Sequence, residues 1–516
     1  MLAVGMVFGY KMNAKDAGPL ISSVKSDSSS GPIGTVEELI RFVETKYVDT
    51  VKREPLVSAA IDAVLQTLDP HSVYIPADQL QYINQEMEGS FDGIGIESFY
   101  LQDTVHIIKT VEGSPADGAG IVAFDKLLKV GDENVAGQGF TFEEIEKRIK
   151  GAAGDQLELT FLGADGTLKE TLVTISDVLI SSIASAVNLT KEVGYIKVRR
   201  FSSRTYREFM DEFEQMYENG TKHLILDLRG NPGGYLPQAT NMLSQLFSEK
   251  GKLLVYTEGR KGQRLEYKTT GKPFFYVDRI AVLVDERSAS GSEIIAGAIQ
   301  EWDRGLLLGR RTFGKGLVQE QYNLQNGGAM RITVARYFTP SGRSIQRTYA
   351  DMDKYDEDLY SRIHSGELFV ESSTPVPEQD TTAYKTRLLS RNLQSGGGIT
   401  PDVFVPIDSL ELDFDYLSIS SSIPKFVFEY LAKRGTYDQV DEKLVADAVN
   451  SFVQSDLMVE EDVYSRLKNN IHRDIRASLL RYIDGDVAEV LYKAAQDQAI
   501  LEAVDYVTGD RALTDY

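Results

Sequence analysis

Residues 223–234 read HLILDLRGNPGG, an apolar run that ends in a glycine-rich turn. An apolar run this short, bounded by turn residues, is typical of a strand buried inside a sheet. A helix with one apolar face is predicted just before it, at residues 206–217. Further apolar runs of strand length occur at residues 193–198, 280–284, 306–308 and 332–337. This alternation of strands and helices predicts a layered α/β core over residues 177–408.

Two different patterns precede this core. Residues 35–88 carry apolar side chains three and four positions apart, which predicts an N-terminal helical segment. Its second helix is expected to stop at Asp69-Pro70, because proline disfavours helical geometry in the residue before it. Residues 89–176 instead consist of short β segments separated by glycines, with a helix predicted at 142–150 and a strand at 157–161. We therefore expect a small β-rich domain between the helices and the core.

The chain beyond residue 346 is expected to contain two further parts. Residues 347–396 look like an acidic insertion, since nine acidic and only two basic residues lie between Asp351 and Asp380. Residues 409–516 are predicted to form a helical C-terminal domain. Its candidate helices lie at residues 424–433, 441–455, 460–482 and 487–506.

Residues 1–34 carry information about location. The apolar stretch from Leu2 to Tyr10 is too short to cross a bilayer, which takes about 20 residues. No basic residue precedes it, so it does not make a complete signal peptide. We interpret it as the truncated end of an export signal or anchor, followed by a flexible tether; a cytosolic tail is the alternative. The expected location is the bacterial cell envelope, in the periplasm, either free or anchored to the inner membrane.

Composition excludes several classes of function. Acidic residues exceed basic ones by 22, which argues against nucleic acid as a partner. The chain has no cysteine, so disulfides, thiolate metal sites and cysteine nucleophiles are excluded. None of the five histidines is followed by glutamate, which rules out the H-E-x-x-H zinc motif, and no G-x-S-x-G is present. We expect neither a metal nor a cofactor.

A serine and a lysine remain as candidate catalytic groups. Ser290 follows a predicted strand and precedes a predicted helix, where backbone N–H groups and the helix dipole favour a developing negative charge. Lys315 stands between two glycines. The residues from Gly309 to Lys315 also match most of a phosphate-binding G-x-x-x-x-G-K loop, but Gly316 replaces the required Ser or Thr and no helix pattern follows. A lysine whose pKa is lowered by burial can instead act as a general base.

Three motifs together resemble the carboxyl-terminal processing peptidases, also called tail-specific proteases. They are residues 227–234 (DLRGNPGG), 290–293 (SGSE) and 314–319 (GKGLVQ), within a resemblance that runs from about Leu68 to Asp402. It implies that Ser290 is the nucleophile, Lys315 the base and Gln319 the residue that orients the base. It also implies an oxyanion hole and a set of residues that shape the site. The oxyanion hole would use N–H groups of Gly291, Gly233 and Gly234, and the shaping residues would be Asp227, Arg229 and Glu293.

Residues 89–176 resemble the PDZ domains of bacterial proteases. The resemblance implies that backbone N–H groups near Gly93, Ile94, Gly95 and Ile96 bind the terminal carboxylate of a peptide. Phe124-Asp125 departs from the family, which usually has a Pro-Gly type turn there. The expected partners are proteins or peptides with unstructured C-termini, and the helical ends are candidate surfaces for homo-oligomers.

The resulting prediction is a layered α/β protease core with a small β-rich PDZ domain and helical N- and C-terminal segments. The predicted function is a serine endopeptidase that cleaves exported or envelope proteins through a Ser/Lys acyl-enzyme mechanism. Two alternatives stay open: a catalytically inactive PDZ-containing scaffold that binds peptides, and a hydrolase of non-peptide esters or amides.

Overall fold

The computed structural model describes residues 32–371, 383–434, 439–455 and 460–515. The expected signal or anchor at residues 2–10 lies outside these ranges. The tether predicted to run to residue 34 ends sooner, because the first helix already begins at Pro32. None of the helices in the described ranges is both long and apolar enough to cross a bilayer.

A six-stranded sheet forms the centre of the molecule, and its first two strands are antiparallel while the others are parallel. In spatial order its strands are Ile183–Asn188, Val193–Val198, His223–Asp227, Ile280–Val284, Leu306–Gly309 and Val403–Phe404. One face is covered by three helices, Thr205–Glu218, Leu236–Gln245 and Gly291–Glu301. The other face is covered by a helix from the C-terminal region, Gln498–Thr508. The predicted layered α/β core is confirmed.

A second sheet lies beside the first and provides the strand that follows Lys315. It contains Val73–Ile75, Lys250–Gly259, Arg264–Thr270, Leu317–Asn323 and Ala329–Phe338. The long strand Ala329–Phe338 pairs with three others, including Val73–Ile75 and Leu317–Asn323. The strand at Val73–Ile75, inside a segment predicted to be helical, therefore ties the N-terminal region to the core.

The N-terminal segment is otherwise helical as predicted. Its helices are Pro32–Lys46, Arg53–Gln66 and Ala77–Glu88. The second of these ends at Gln66, three residues ahead of the predicted stop at Asp69-Pro70.

Residues 89–176 form a separate β-rich unit with its own core. In spatial order its main strands are Ile96–Leu101, Thr104–Thr110, Lys126–Val130, Gln156–Leu162 and Leu168–Thr174. The helix Phe142–Ile149 and the strand Gln156–Leu162 confirm the elements predicted at 142–150 and 157–161. The unit is joined to the protease core by a ribbon in which Ser90–Gly93 pairs with Ser176–Leu179.

The C-terminal region is helical as predicted, but two of the predicted helices differ from the structure. Its described helices are Phe414–Arg434, Glu442–Val453, Glu461–Ile483, Asp486–Ala494 and Gln498–Thr508. The helix predicted at 424–433 begins ten residues earlier, at Phe414, because the helix continues through Pro424 and buries Tyr416 and Ile423 ahead of it. The single helix predicted at 487–506 is divided in two, because the Asp497 side chain accepts the backbone N–H of Ile500 and caps a new helix.

An aromatic cluster fastens the C-terminal helices to the β-rich unit. Phe428 is fully buried, stacks on Phe124 with ring centroids 4.7 Å apart, and meets Phe99 and Tyr482 edge to face. Phe124 adopts a φ of 70°, which is uncommon for a residue with a bulky side chain. The departure from the Pro-Gly turn thus places an aromatic ring against the C-terminal helices. We call these four side chains the aromatic latch.

Candidate active site

Ser290 occupies a strained turn between the strand Ile280–Val284 and the helix Gly291–Glu301. Its backbone has φ 53° and ψ −111°, a conformation that costs energy in a residue with a Cβ and is often found at functional positions. The side chain is half-buried. Gly291 is the first residue of the helix, so its N–H has no acceptor within the helix. The turn thus presents a hydroxyl beside a free backbone donor.

Asn231 locks this turn to the glycine-rich turn that ends the strand His223–Asp227. Its carbonyl oxygen accepts hydrogen bonds from the Ala289 N–H, at 2.9 Å, and from Ser292 Oγ, at 3.0 Å. Its side-chain Nδ2 donates to the carbonyl oxygen of Val198 at 3.0 Å. The residue is fully buried. Because it holds the backbone on both sides of Ser290, Asn231 belongs to the site, although the sequence motif alone assigned it no role.

Gly233 lies against the serine and Gly234 against Phe201, both in conformations that only glycine adopts easily. A Cβ on Gly233 would stand 2.6 Å from Ser290 Cβ, and one on Gly234 would stand 2.2 Å from the carbonyl oxygen of Phe201. The Gly233 N–H donates to Asn231 Oδ1 at 2.8 Å. Within the described ranges, the N–H groups of Gly234 and Gly291 donate to no acceptor. Of the three predicted oxyanion-hole residues, these two have free donors.

Lys315 lies just before the strand Leu317–Asn323. Its Nζ donates to Gln319 Oε1 at 3.0 Å, and Gln319 Nε2 donates to the carbonyl oxygen of His71. The amide of Gln319 is therefore held at both ends, with its oxygen towards the lysine. Burial lowers the pKa of Lys315, and the charge of Arg331 lowers it further. This is the direction that a general base requires.

Glu293 joins the serine turn to the lysine loop. Its Oε2 accepts the N–H groups of Ser290 and Lys315, each at 2.9 Å. Its Oε1 accepts the Gly314 N–H at 2.7 Å and Thr312 Oγ1 at 2.6 Å. Burial raises the pKa of this fully buried carboxyl, while its four donors oppose the shift. One side chain thus fixes the spacing of the two backbones.

Tyr337 is a second site residue that the sequence did not reveal. Its buried hydroxyl donates to the carbonyl oxygen of Lys315 and lies within reach of the Ser290 side chain. Burial raises the pKa of Tyr337 well above its ordinary value, and the neighbouring Glu293 adds to the shift. In the sequence it is one aromatic residue in a predicted strand, a pattern that also suits an ordinary core position.

Asp227 and Arg229 lie behind the glycine-rich turn. Fully buried Asp227 accepts hydrogen bonds from Tyr195, at 2.8 Å, and from the guanidinium and N–H of Arg229. Arg229 in turn binds Asp497, at 2.8 Å, the residue that caps the helix Gln498–Thr508. The pair therefore anchors the strand end that carries the site to the C-terminal helices.

The two predicted reacting groups are not hydrogen-bonded to each other. Within the described ranges, Ser290 Oγ makes no hydrogen bond to Lys315 Nζ, which is directed to Gln319 instead. Catalytic hydrogen bonds are often long before substrate binds. No group of three or more histidine, aspartate or glutamate side chains in the described part of the chain could hold a metal ion.

The predicted carboxylate-binding loop lies in the separate β-rich unit. Gly93 ends the strand Ser90–Gly93, the Ile94 side chain is in the core of the unit, and Ile96 starts the next strand. The carbonyl oxygens of Ile94 and Gly95 accept the N–H groups of Ala116 and Val111. The N–H groups of Ile94 and Gly95 donate to no acceptor in the described ranges. Two backbone donors are therefore free in this loop.

Comparison with known proteins identifies the family. The sequence profile described as Peptidase family S41 matches residues 192–354. The chain is 33% identical to a carboxy-terminal-processing protease of Bartonella bacilliformis, over 63% of this chain and 77% of that protein. It is 31% identical to the carboxy-terminal processing protease CtpA of Bacillus subtilis, over 59% and 65% of the two chains.

Among the similar solved structures is one that matches a small part of the chain. It is the PDZ domain of a carboxy-terminal protease from Vibrio cholerae in complex with peptide, with 24% identity and a TM-score of 0.16, and the match covers 18% of this chain and 99% of that one. The family itself is established by the sequence relatives, of which the Bartonella protein is matched over most of its length. The chain belongs to peptidase family S41, among the carboxy-terminal-processing serine proteases.

Proposed function

We propose that this chain is a serine endopeptidase in which Ser290 is the nucleophile and Lys315 the general base. The observation that carries the proposal is the Glu293 carboxylate, whose Oε2 accepts the N–H groups of both residues. A fully buried carboxyl that binds both backbones keeps the serine turn and the lysine loop in a fixed relation. Such a fixed relation is what a nucleophile and its base need.

The chemistry runs in two stages. Neutral Lys315 Nζ takes the hydroxyl proton of Ser290 as Oγ bonds to the carbonyl carbon of the scissile peptide. The ammonium returns this proton to the leaving amine as the C–N bond breaks, which leaves an acyl ester on Ser290. Water then attacks the ester, Lys315 takes a proton from the water, and the proton returns to Ser290 Oγ as the acid is released. These steps require no metal or cofactor.

Gly234 and Gly291 are the proposed donors to the oxyanion. Both N–H groups are free in the described ranges, whereas the Gly233 N–H is bound to Asn231 Oδ1. Gly233 contributes by its shape, because its missing side chain allows the turn to approach Ser290. Preorganised backbone donors of this kind stabilise the charge that develops in the transition state.

Turnover of an internally quenched fluorogenic peptide tests the proposal. The full chain should cleave the peptide, and Ser290→Ala should abolish cleavage while the far-UV circular dichroism spectrum stays unchanged. A scaffold without activity would give the same background rate before and after Ser290→Ala. A hydrolase of other compounds would turn over small esters or amides faster than any peptide. No contact in the described site favours either the inactive scaffold or the hydrolase of other compounds.

Substrates are proposed to be exported or envelope proteins that are engaged through unstructured C-terminal tails. Support comes from the free N–H groups of Ile94 and Gly95, which could bind a terminal carboxylate. The test uses the full-length Ser290→Ala variant, which binds without cleaving. Peptides that differ only in C-terminal amidation should bind unequally, with the free acid tighter, because hydrogen bonds to a charged group are stronger. Equal binding would remove tail recognition and leave the proposed chemistry intact.

Location in the cell envelope is part of the same proposal. Its support is the apolar stretch at residues 2–10, whose composition suits an export signal or anchor. Cell fractionation with an antibody against the chain should find it in periplasmic or inner-membrane fractions. Recovery with cytosolic markers would overturn the location without affecting the activity.

A further inference from the structure

A buried turn from the N-terminal segment lies next to the lysine loop. Asp69 accepts three hydrogen bonds within this turn: the His71 N–H at 2.8 Å, the Ser72 N–H at 2.9 Å and Ser72 Oγ at 2.7 Å. Asp69 and Ser72 are each about 5% exposed, so the Asp69 carboxylate and the Ser72 hydroxyl are shielded from water. Ser72 Oγ also accepts the N–H of Thr333, which fastens the turn to the strand Ala329–Phe338.

The turn presents the carbonyl oxygen of His71 to the base. Gln319 Nε2 donates to this oxygen, while Gln319 Oε1 accepts from Lys315 Nζ at 3.0 Å. The amide of glutamine is nearly symmetric in shape, so its hydrogen-bond partners decide which end carries the oxygen. The direction of the oxygen that faces Lys315 is therefore set by where the His71 carbonyl lies. Asp69 determines that position through the His71 and Ser72 N–H groups.

The acidic insertion supports the same turn from the other side. The His71 ring is hydrogen-bonded to the Tyr355 hydroxyl at 2.7 Å, with the two rings edge to face. Tyr355 belongs to the short helix Met352–Asp356 of the insertion. The His71 ring also lies against Phe313, two residues before Lys315. His71 is thus enclosed between the insertion and the lysine loop.

We infer that Asp69 is a positioning residue for the reaction, which holds Lys315 in place through the His71 carbonyl and Gln319. The inference rests on the proposed function, because it assigns a role only if Lys315 is the base. It gives the segment at residues 69–72 a part in catalysis although it lies far from the serine and lysine motifs in the chain.

The charge of Asp69 provides a readout that a purely structural role would not move. The charged groups that face Lys315 are Asp69 and Glu293, which favour its ammonium form, and Arg331, which disfavours it. His71 also senses the lysine, whose charge contributes to lowering the pKa of the imidazole to about 4, after burial. At neutral pH His71 is uncharged. Removal of the Asp69 charge should therefore lower the pKa of Lys315 further.

Two substitutions separate geometry from charge. Asp69→Asn keeps an oxygen for the two N–H groups and loses the charge, so the acid limb of the rate profile should move to lower pH while the maximal kcat stays near wild type. Asp69→Ala loses the acceptor, so kcat should fall by about tenfold or more with KM little changed, because a misplaced base is a poor one. The double variant Asp69→Ala/Gln319→Ala should cost little more than Gln319→Ala alone.

Asp165→Ala is the matched control, since Asp165 likewise accepts the N–H and Oγ of one residue, Thr167, in a turn of the β-rich unit. It should change neither kcat nor the pH profile. The inference is overturned if Asp69→Asn leaves the acid limb unmoved, or if the effects of Asp69→Ala and Gln319→Ala simply add. Asp69→Asn remains decisive even where Asp69→Ala fails to fold. Ser290→Ala is assayed in parallel, because residual turnover there would instead refute the proposed function.

Discussion

Two turns in this molecule present free backbone donors, and they differ in what surrounds those donors. At the candidate active site the N–H groups of Gly234 and Gly291 lack an acceptor among the described residues, Gly291 directly follows a serine, and a buried carboxyl binds the serine turn to the lysine loop. In the β-rich unit the N–H groups of Ile94 and Gly95 also lack an acceptor among the described residues, but the nearby hydroxyl of Ser114 donates to the Gly95 carbonyl oxygen at 3.2 Å.

Backbone donors alone give an anion site, while chemistry requires side chains whose positions and pKa values are controlled. At the active site, burial supplies that control: it lowers the pKa of Lys315 and encloses Glu293. No residue with a comparable role faces the loop at 93–96 among those described. We therefore expect substitutions at the serine turn to abolish turnover. Substitutions in the loop at residues 93–96 should change only which substrates are preferred.

The largest expected effect is that of Lys315→Ala. Turnover should fall on the order of a thousandfold or more, and Ser290→Ala/Lys315→Ala should be little worse than either change alone, because the two groups act as a unit. Steady-state kinetics on a short fluorogenic peptide measure this. Lys354→Ala, at an exposed lysine of the insertion, is the control and should be neutral. A Lys315→Ala enzyme with more than about a tenth of the wild-type rate would show that another base exists.

Glu293→Gln should have the next largest effect. Glutamine has one accepting oxygen where glutamate has two, so either the N–H groups of Ser290 and Lys315, which share Oε2, or the N–H of Gly314, which uses Oε1, must lose their acceptor. We expect kcat to fall by about a hundredfold as the two loops separate. Glu301→Gln changes another fully buried carboxyl of the same helix and should lower the melting temperature without an equal loss of kcat. Equal losses in the two variants would mean that Glu293 contributes only stability.

The pH dependence should show a smaller, directional effect. Lys315 must be neutral to act, and its pKa lies below the ordinary 10.5 because of burial and of Arg331. The value of kcat/KM should therefore rise with pH and reach its plateau well below that of an exposed lysine. Arg331→Gln removes the repelling charge, raises the pKa of Lys315 and should move the rise to higher pH. An unmoved profile would indicate that another group controls the rise.

The smallest expected effect on turnover is that of Gly95→Val. A Cβ at Gly95 would stand 2.3 Å from the Cβ of Ser114, and the backbone has φ +81°. The side chain should obstruct the free N–H groups and remove the preference for free-acid over amidated peptides, while cleavage of very short peptides stays unchanged. Gly113→Ala is the control, because it also places a Cβ at positive φ but that Cβ would meet nothing within 4 Å. It therefore shows the effect of backbone strain without obstruction of the loop. Persistence of the acid preference in Gly95→Val would contradict the assignment of the loop.

The sequence predicted the core elements well because their signals are local. The apolar run at residues 223–228 and the helix at 206–217 follow from the periodicity of a few adjacent side chains. The division of the helix predicted at 487–506 was missed. Asp497 caps the helix Gln498–Thr508 by accepting the Ile500 N–H, and it also binds Arg229, which is 268 positions away. Partners at such distances leave no mark on local periodicity.

The same limit applied to the site. Ser290 and Lys315 could be chosen because their motifs combine unusual residues in order, and the structure brings their loops together through Glu293. Asn231 and Tyr337 could not, because an asparagine in a turn and a tyrosine in a strand are common and their roles depend on contacts made after folding. A motif thus points to candidate reacting groups more readily than to the groups that hold them.

The aromatic latch has a consequence for how the chain is made. Phe99 and Phe124 belong to a unit completed by residue 176, but their partner Phe428 is synthesised only near the end of the chain. Until then the unit folds with an uncovered apolar face to which Leu101 and Ile108 also contribute. Contacts so distant in sequence form late and leave such faces open to aggregation. The C-terminal helices thus bury an apolar face of a domain from the first third of the chain. Fragments that end before Phe428 would leave that face exposed and would be prone to aggregate.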